Sequence, residues 1–145
     1  MSTLSTPWFY WAVLSAIFAA LTAIFAKIGL QGVDSDFATL IRTFVIFFVL
    51  AGFVAYAGKW SNPFALSPKT WTFLVLSAFA TGASWVCYFR ALKLGDASKV
   101  APVDKLSVIL VAIIAVIFLG ERPSGREWCG ISLVGLGVIV LGFKR

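Results

Sequence analysis

Histidine is absent from this 145-residue chain, and acids are scarce, with six Asp and Glu against twelve Lys and Arg. Without imidazole the chain lacks the commonest metal ligand and general base. No nucleophile stands beside a base along the sequence either, so neither an enzyme nor a metal site or cofactor is expected. Cys87 and Cys129 lie in or at the edge of separate apolar runs. They read as small core residues rather than as a disulfide. Charged residues make up only 12% of the chain, too few for the surface of a soluble domain. The net charge of +6 does not point to nucleic acid, because half of the basic residues lie in or beside apolar runs instead of forming a solvated patch.

What the chain has is apolar length. Hydrophobic residues are 61% of the sequence and the mean hydropathy is +0.98. A bilayer is crossed by about 20 apolar residues in a helix. Runs near that length occur at 8–30, 37–57, 71–92, 100–119 and 124–143. The expectation is a single all-α integral membrane domain over 1–145 with five transmembrane helices and short connections. The first run is too long for a signal-peptide core and no basic residue precedes it, so it reads as a retained helix. A multi-pass protein of the bacterial or archaeal cytoplasmic membrane follows, with the lipid bilayer as its first partner.

Five helices put the two ends of the chain on opposite faces of the membrane. Trp8, Tyr10, Trp11, Tyr56, Trp60, Trp71 and Trp128 all fall on the N-terminal face, where amphipathic rings mark the headgroup level. Loop bases do not choose a side: Lys59, Lys69, Arg122 and Arg126 on that face are matched by Lys93, Lys99, Lys144 and Arg145 on the other. Orientation is therefore either set by embedded bases or dual.

Five charged residues, Lys27, Arg42, Arg90, Asp104 and Lys105, lie inside the runs and approach from the face opposite the N-terminus. Counting outward from a hairpin tip near Asp96 and Ala97, Arg90 and Asp104 reach similar depths, roughly 10 Å at 1.5 Å per residue. A pair between them is expected. Adjacent helical residues point about 100° apart, so Lys105 faces elsewhere, toward water or the headgroups. Lys27 and Arg42 flank a first hairpin near Gly32 to Asp34. A 63-residue shift superposes Lys27 on Arg90, Gly32 on Gly95 and Arg42 on Lys105, a faint internal repeat. Long bases near helix ends also snorkel, so the layer reads either as substrate-binding and gating residues or as snorkelling bases around one structural ion pair. Ser84, Trp85 and Tyr88 beside Gly82 are a candidate polar patch or a piece of core. Ser98 reads as the cap of the fourth helix, with Pro102 in its first turn.

Close-packing faces are also present. Ala12, Ser15, Ala16, Ala19, Ala20, Ala23 and Ala26 recur at helical spacing in the first run, and "GISLVGLGV" places Gly130 and Gly137 seven residues apart on the fifth. In lipid such surfaces let backbones approach, within one subunit or between two.

"YFRALKLGDASKVAPVDKLSVILVAIIAVIFLGERPSGREWCGISLVGLGVIVL" resembles the second half of an EamA domain, the unit of the drug/metabolite transporter superfamily. "WAVLSAIFAALTAIFAKIGL" and "FATLIRTFV" suit the first two helices of that unit. The resemblance covers nearly the whole chain and implies a five-helix, single-unit transporter, half of a ten-helix fold. The segment "LGERPSGREWCGISLVGLGV" is similar to the end of small multidrug resistance transporters, which implies a dimer contact at Gly130 and Gly137. Those transporters carry an embedded Glu on the first helix, whereas no acid lies between Trp8 and Leu30 here. Export of cationic drugs is therefore not expected. The surplus of embedded bases favours an anionic or zwitterionic small molecule, carried by an antiparallel homodimer. The alternative is a non-transporting membrane subunit or assembly partner of a larger complex.

Overall fold

The computed structural model describes residues 7–142. Among them helices are the only regular elements, with six α-helices: α1 (Pro7–Gly29), α2 (Ser35–Tyr56), α3 (Pro68–Leu94), α4 (Ala97–Asp104), α5 (Ser107–Ile114) and α6 (Gly125–Gly142). A short 3₁₀ turn, Pro63–Ala65, precedes α3, and a π-helical turn, Ala115–Leu119, follows α5. Five stretches are long and apolar enough to cross a membrane: Trp8–Gly29, Ser35–Tyr56, Pro68–Leu94, Ala97–Leu119 and Gly125–Gly142. Phe143, Lys144 and Arg145, included in the sequence-based span and loop assignments, lie outside the described residues.

Local chemistry sets the helix starts. Asp34 caps α2 by accepting from the N–H groups of Asp36 and Phe37 at 2.9 and 3.0 Å. Gly32, at φ 73°, supplies the left-handed turn before it. Ser67 accepts from the Thr70 N–H at 3.1 Å, with Pro68 opening α3, where no intrahelical N–H is needed. Ser124 and Glu127 form a reciprocal capping box at α6: Glu127 Oε2 accepts from the Ser124 N–H at 2.6 Å, and Ser124 Oγ accepts from the Glu127 N–H at 3.4 Å.

The fourth span is not the continuous helix expected. Its cap position is Asp96 rather than Ser98, and Pro102 lies inside α4. Proline offers no N–H to the Ser98 carbonyl and crowds it. Downstream the bonding tightens to a three-residue step: the N–H groups of Lys105, Leu106, Val108 and Ile109 donate to Pro102, Val103, Lys105 and Leu106 at 2.9–3.1 Å. The span therefore breaks between Asp104 and Ser107. It ends in the π-helical turn, closed by Gly120 at φ 67°. The repeat suggested by the sequence does not extend to the turns, since Gly32 is left-handed and Gly95 is not.

Two compact units divide the chain: Phe25–Lys93 forms one, and the segments before and after it form the other. Within the second, α6 packs on α4 and α5 through Gly135 and Val138, both buried. A methyl group at Gly135 would lie 2.5 Å from Ile109 Cδ1, whereas one at Gly130 or Gly137 meets nothing within 4 Å. Within the first unit, α2 turns Ser35 and Thr39 inward. Thr39 Oγ donates to the Ser35 carbonyl at 2.8 Å, and Thr43 Oγ to the Thr39 carbonyl at 2.8 Å. The two cysteines are free and exposed on the chain. This corrects their reading as core residues, because each sits on the outward side of its helix.

Candidate functional site

The α2–α3 seam of the unit Phe25–Lys93 gathers most of the polar side chains singled out from the sequence. Arg42 projects from the second turn of α2 and lays its guanidinium over Trp85 of α3, with Cζ 4.3 Å from the ring centroid and 5.3 Å from that of Phe89. Arginine over an aromatic face is held by the ring quadrupole. A contact of this kind takes up none of the guanidinium's hydrogen-bond donors. Among the described residues no acid or carbonyl accepts from Arg42. Phe89 is buried. Trp85 and Tyr88 are half-buried, and Tyr88 stands at 60° to Phe89 with centroids 6.5 Å apart. Ser84 precedes Trp85 on the outer side of α3 and is exposed.

About a turn and a half nearer the start of α2, Arg90 makes a two-pronged contact with Asp36: Nε donates to Oδ1 at 2.9 Å and Nη2 to Oδ2 at 2.5 Å. The expected partner of Arg90 was Asp104, and the structure corrects it. Asp36 lies just outside the apolar run that begins at 37, but the Asp34 cap starts α2 at Ser35 and so brings Asp36 into the first helical turn, level with Arg90. Two further cations fasten the α1–α2 turn to the end of α3 through backbone oxygens. Lys27 Nζ donates to the Leu92 carbonyl at 2.6 Å, and Lys93 Nζ to the Val33 carbonyl at 2.7 Å.

In the other unit, Asp104 and Lys105 stand at the break between α4 and α5. Their side chains meet, with Lys105 Nζ donating to Asp104 Oδ2 at 3.4 Å. Sequence neighbours on a regular helix diverge, as expected above. Here the helix is interrupted at Lys105, whose N–H bonds three residues back, and the long Lys105 side chain reaches the neighbouring carboxylate. Gly130 and Gly137 lie on the exposed side of α6, away from the packing face at Gly135. Sequence reasoning missed Gly135 and Asp36. Gly135 lies in the same glycine-rich stretch, four residues from the half-buried Ile131 and three from the buried Val138, and only that periodicity could have marked it as the inward glycine.

Comparison with known proteins follows from this architecture. The model of the EamA-like transporter family matches residues 6–143. The chain belongs to that family. An uncharacterized transporter in the cobO 3′ region of a Sinorhizobium species is 55% identical over 138 residues, covering 95% of this EamA chain and 98% of the relative. Two uncharacterized Bacillus subtilis transporters, YxxF and YvbV, are 24% and 26% identical over 136 and 138 residues. The chain spans 42% and 44% of their lengths, so it corresponds to less than half of each. No solved structure matches it. This EamA protein is thus an all-helical, multi-pass membrane protein of a transporter family, which in bacteria places it in the inner membrane. Family and relatives point to transport rather than enzymatic chemistry.

Proposed function

We propose that this EamA protein is a secondary transporter for a small amphipathic metabolite with an anionic or zwitterionic head, and that it works as an antiparallel homodimer. The observation that carries the substrate class is Arg42. A guanidinium inside a membrane span is costly unless it faces water, an acid or a ligand, and this one is presented on an aromatic shelf with its N–H edge unused. A carboxylate, sulfonate or phosphate matches that edge with two parallel hydrogen bonds. The Trp85 and Tyr88 rings supply an apolar wall for the rest of the molecule. The embedded balance supports the same sign: Lys27, Arg42, Arg90 and Lys105 outnumber Asp36 and Asp104.

The test is binding and flux with purified protein, using benzenesulfonate as probe and uncharged benzenesulfonamide and cationic benzylamine as controls. Arg42→Gln should weaken sulfonate binding by about tenfold or more, the scale of a lost charge-assisted fork, while melting in detergent stays near that of the parent. Arg42→Lys should recover only part of the loss, because an ammonium keeps the charge without the plane or the fork. Preference for benzylamine, or sulfonate affinity indifferent to position 42, refutes the anionic reading.

A further inference from the structure

The three cations that join α3 to the α1–α2 turn are not equivalent. Lys27 and Lys93 bond backbone carbonyls, of Leu92 and Val33, and so tether the turn whatever happens at Arg90. Arg90 alone of the three holds a side-chain acid, and it holds it in the bidentate geometry by which guanidinium binds any planar oxyanion. Asp36 has no other structural task of that strength. The cap of α2 is Asp34, and the contact of Asp36 with Ser35 Oγ is long, at 3.5 Å. The chain leaves 60% of the Arg90 side chain and 47% of the Asp36 side chain uncovered, so an incoming oxyanion can reach the fork without unpacking the helices. Arg42 lies six residues beyond Asp36 on α2, roughly 9 Å deeper along the axis, and both arginines bridge α2 to α3.

We propose that Arg90 is a second oxyanion-binding position, occupied at rest by the Asp36 carboxylate, which an anionic substrate displaces on its way to or from Arg42. Asp36 is then an internal stand-in for the substrate head: it keeps Arg90 oriented and neutralised when no substrate is present, and departs by simple ligand exchange, with no net change in charge at the fork. The onward step to Arg42 rests on the oxyanion reading of that residue, but the exchange at Arg90 can be measured separately.

The experiment labels carboxyl groups of the purified, detergent-solubilised protein with a water-soluble carbodiimide and an amine, and reads Asp36 by mass spectrometry. Benzenesulfonate is the probe because it carries an oxyanion but no carboxyl to consume the reagent. Benzenesulfonamide with sodium chloride at equal ionic strength controls for screening of the pair. Sulfonate should raise labelling of Asp36 by about two- to fivefold, as the population with a released carboxylate grows by that factor, in the parent and also in Arg42→Gln. Asp36→Asn should tighten sulfonate binding by a similar factor, and adding Arg90→Gln should cancel the gain. If Asp36→Asn does not fold, the labelling of the parent decides alone. Sulfonate binding that depends on Arg42 while Asp36 labelling stays flat overturns the exchange and leaves the Arg42 reading standing. Labelling that rises while binding ignores Arg42 upholds the exchange and removes that reading. Flat labelling with no preference for sulfonate over sulfonamide removes both.

Discussion

Gly135 is the position where the smallest side chain decides how two helices meet. Any Cβ there points at Ile109 Cδ1, the far end of a flexible side chain, so Gly135→Ala is absorbed by a rotamer change. Gly135→Leu is not. It should destabilise by about 1–3 kcal/mol, as overpacking does, and lower the melting temperature in detergent. Gly137→Leu on the open side should leave the melting of a monomeric preparation unchanged, and equal losses at both positions would contradict the assigned packing face. The sequence makes both glycines visible but does not rank them, because a seven-residue repeat and a burial-facing glycine look alike until a neighbouring helix is placed. The same limit governs the charges. Depth counting on each hairpin collects Lys27, Arg42, Arg90, Asp104 and Lys105 into one layer, whereas the structure has the first three in the unit Phe25–Lys93 and the other two in the second unit. The count fails on the partner of Arg90 because Asp36, on the neighbouring helix α2, lies outside the apolar run, and the Asp34 cap extends that helix outward by two residues to include it. The aromatic shelf under Arg42 is legible only as the presence of Trp85 and Phe89 on another helix. Their register against α2 is a tertiary fact.

At the level of elements, the fourth span is where local and global preferences conflict. Pro102 in the interior of α4 costs a helix about 3 kcal/mol, and the Asp104–Lys105 pair stands exposed at the break that follows. A chain selected only for packing would not keep both a proline and two charges there. The arrangement resembles the interrupted helices that transporters place at their moving sites. Pro102→Ala restores the donor for the Ser98 carbonyl and lets the helix run through. It should raise stability by up to about 3 kcal/mol, protect the Lys105 to Ile109 amides from hydrogen exchange, and slow transport several-fold if flexing at the break belongs to the cycle. Unchanged exchange at those amides would mean that the break is imposed by packing against α6 rather than by the proline. The capping signals at Asp34, Ser67 and Ser124 lie close to where hydropathy alone puts the span ends, so helix starts were nearly legible. The break was not, since Pro102 sits at a position compatible with a first turn until the true cap, Asp96, is known.

For the molecule as a whole, the question is what covers the surfaces one chain leaves open. Ala12, Ala16, Ala19 and Ala20 of α1 are exposed on the chain, as are Gly130 and Gly137 of α6. Close-packing residues associate with other helices rather than with lipid when a partner is offered. The Bacillus relatives are more than twice as long as this chain, which leaves room in them for a second unit; the proposed homodimer supplies that unit as a second copy. Five spans per unit mean that a unit fused in tandem is inverted, and in the proposed dimer a single unit would recover that symmetry by inserting both ways and pairing antiparallel. Short-loop bases set orientation, and Lys59, Lys69, Arg122 and Arg126 against Lys93, Lys99, Lys144 and Arg145 give no bias. Adding two or three bases to one face should therefore drive all copies one way and abolish flux, and co-expression with a variant biased the other way should restore it. Orientation is read by cysteines placed at position 2 and after position 145, in a background where Cys87 and Cys129 are serine, since both native thiols are exposed on the chain. The parent should label at each terminus from both sides of the membrane in comparable amounts. A parent labelled from one side only, with full flux, would require a parallel dimer or a second protein to cover the α1 and α6 faces. A biased variant that keeps full flux without its complement would exclude the antiparallel pair directly, because every copy in that membrane would share one orientation.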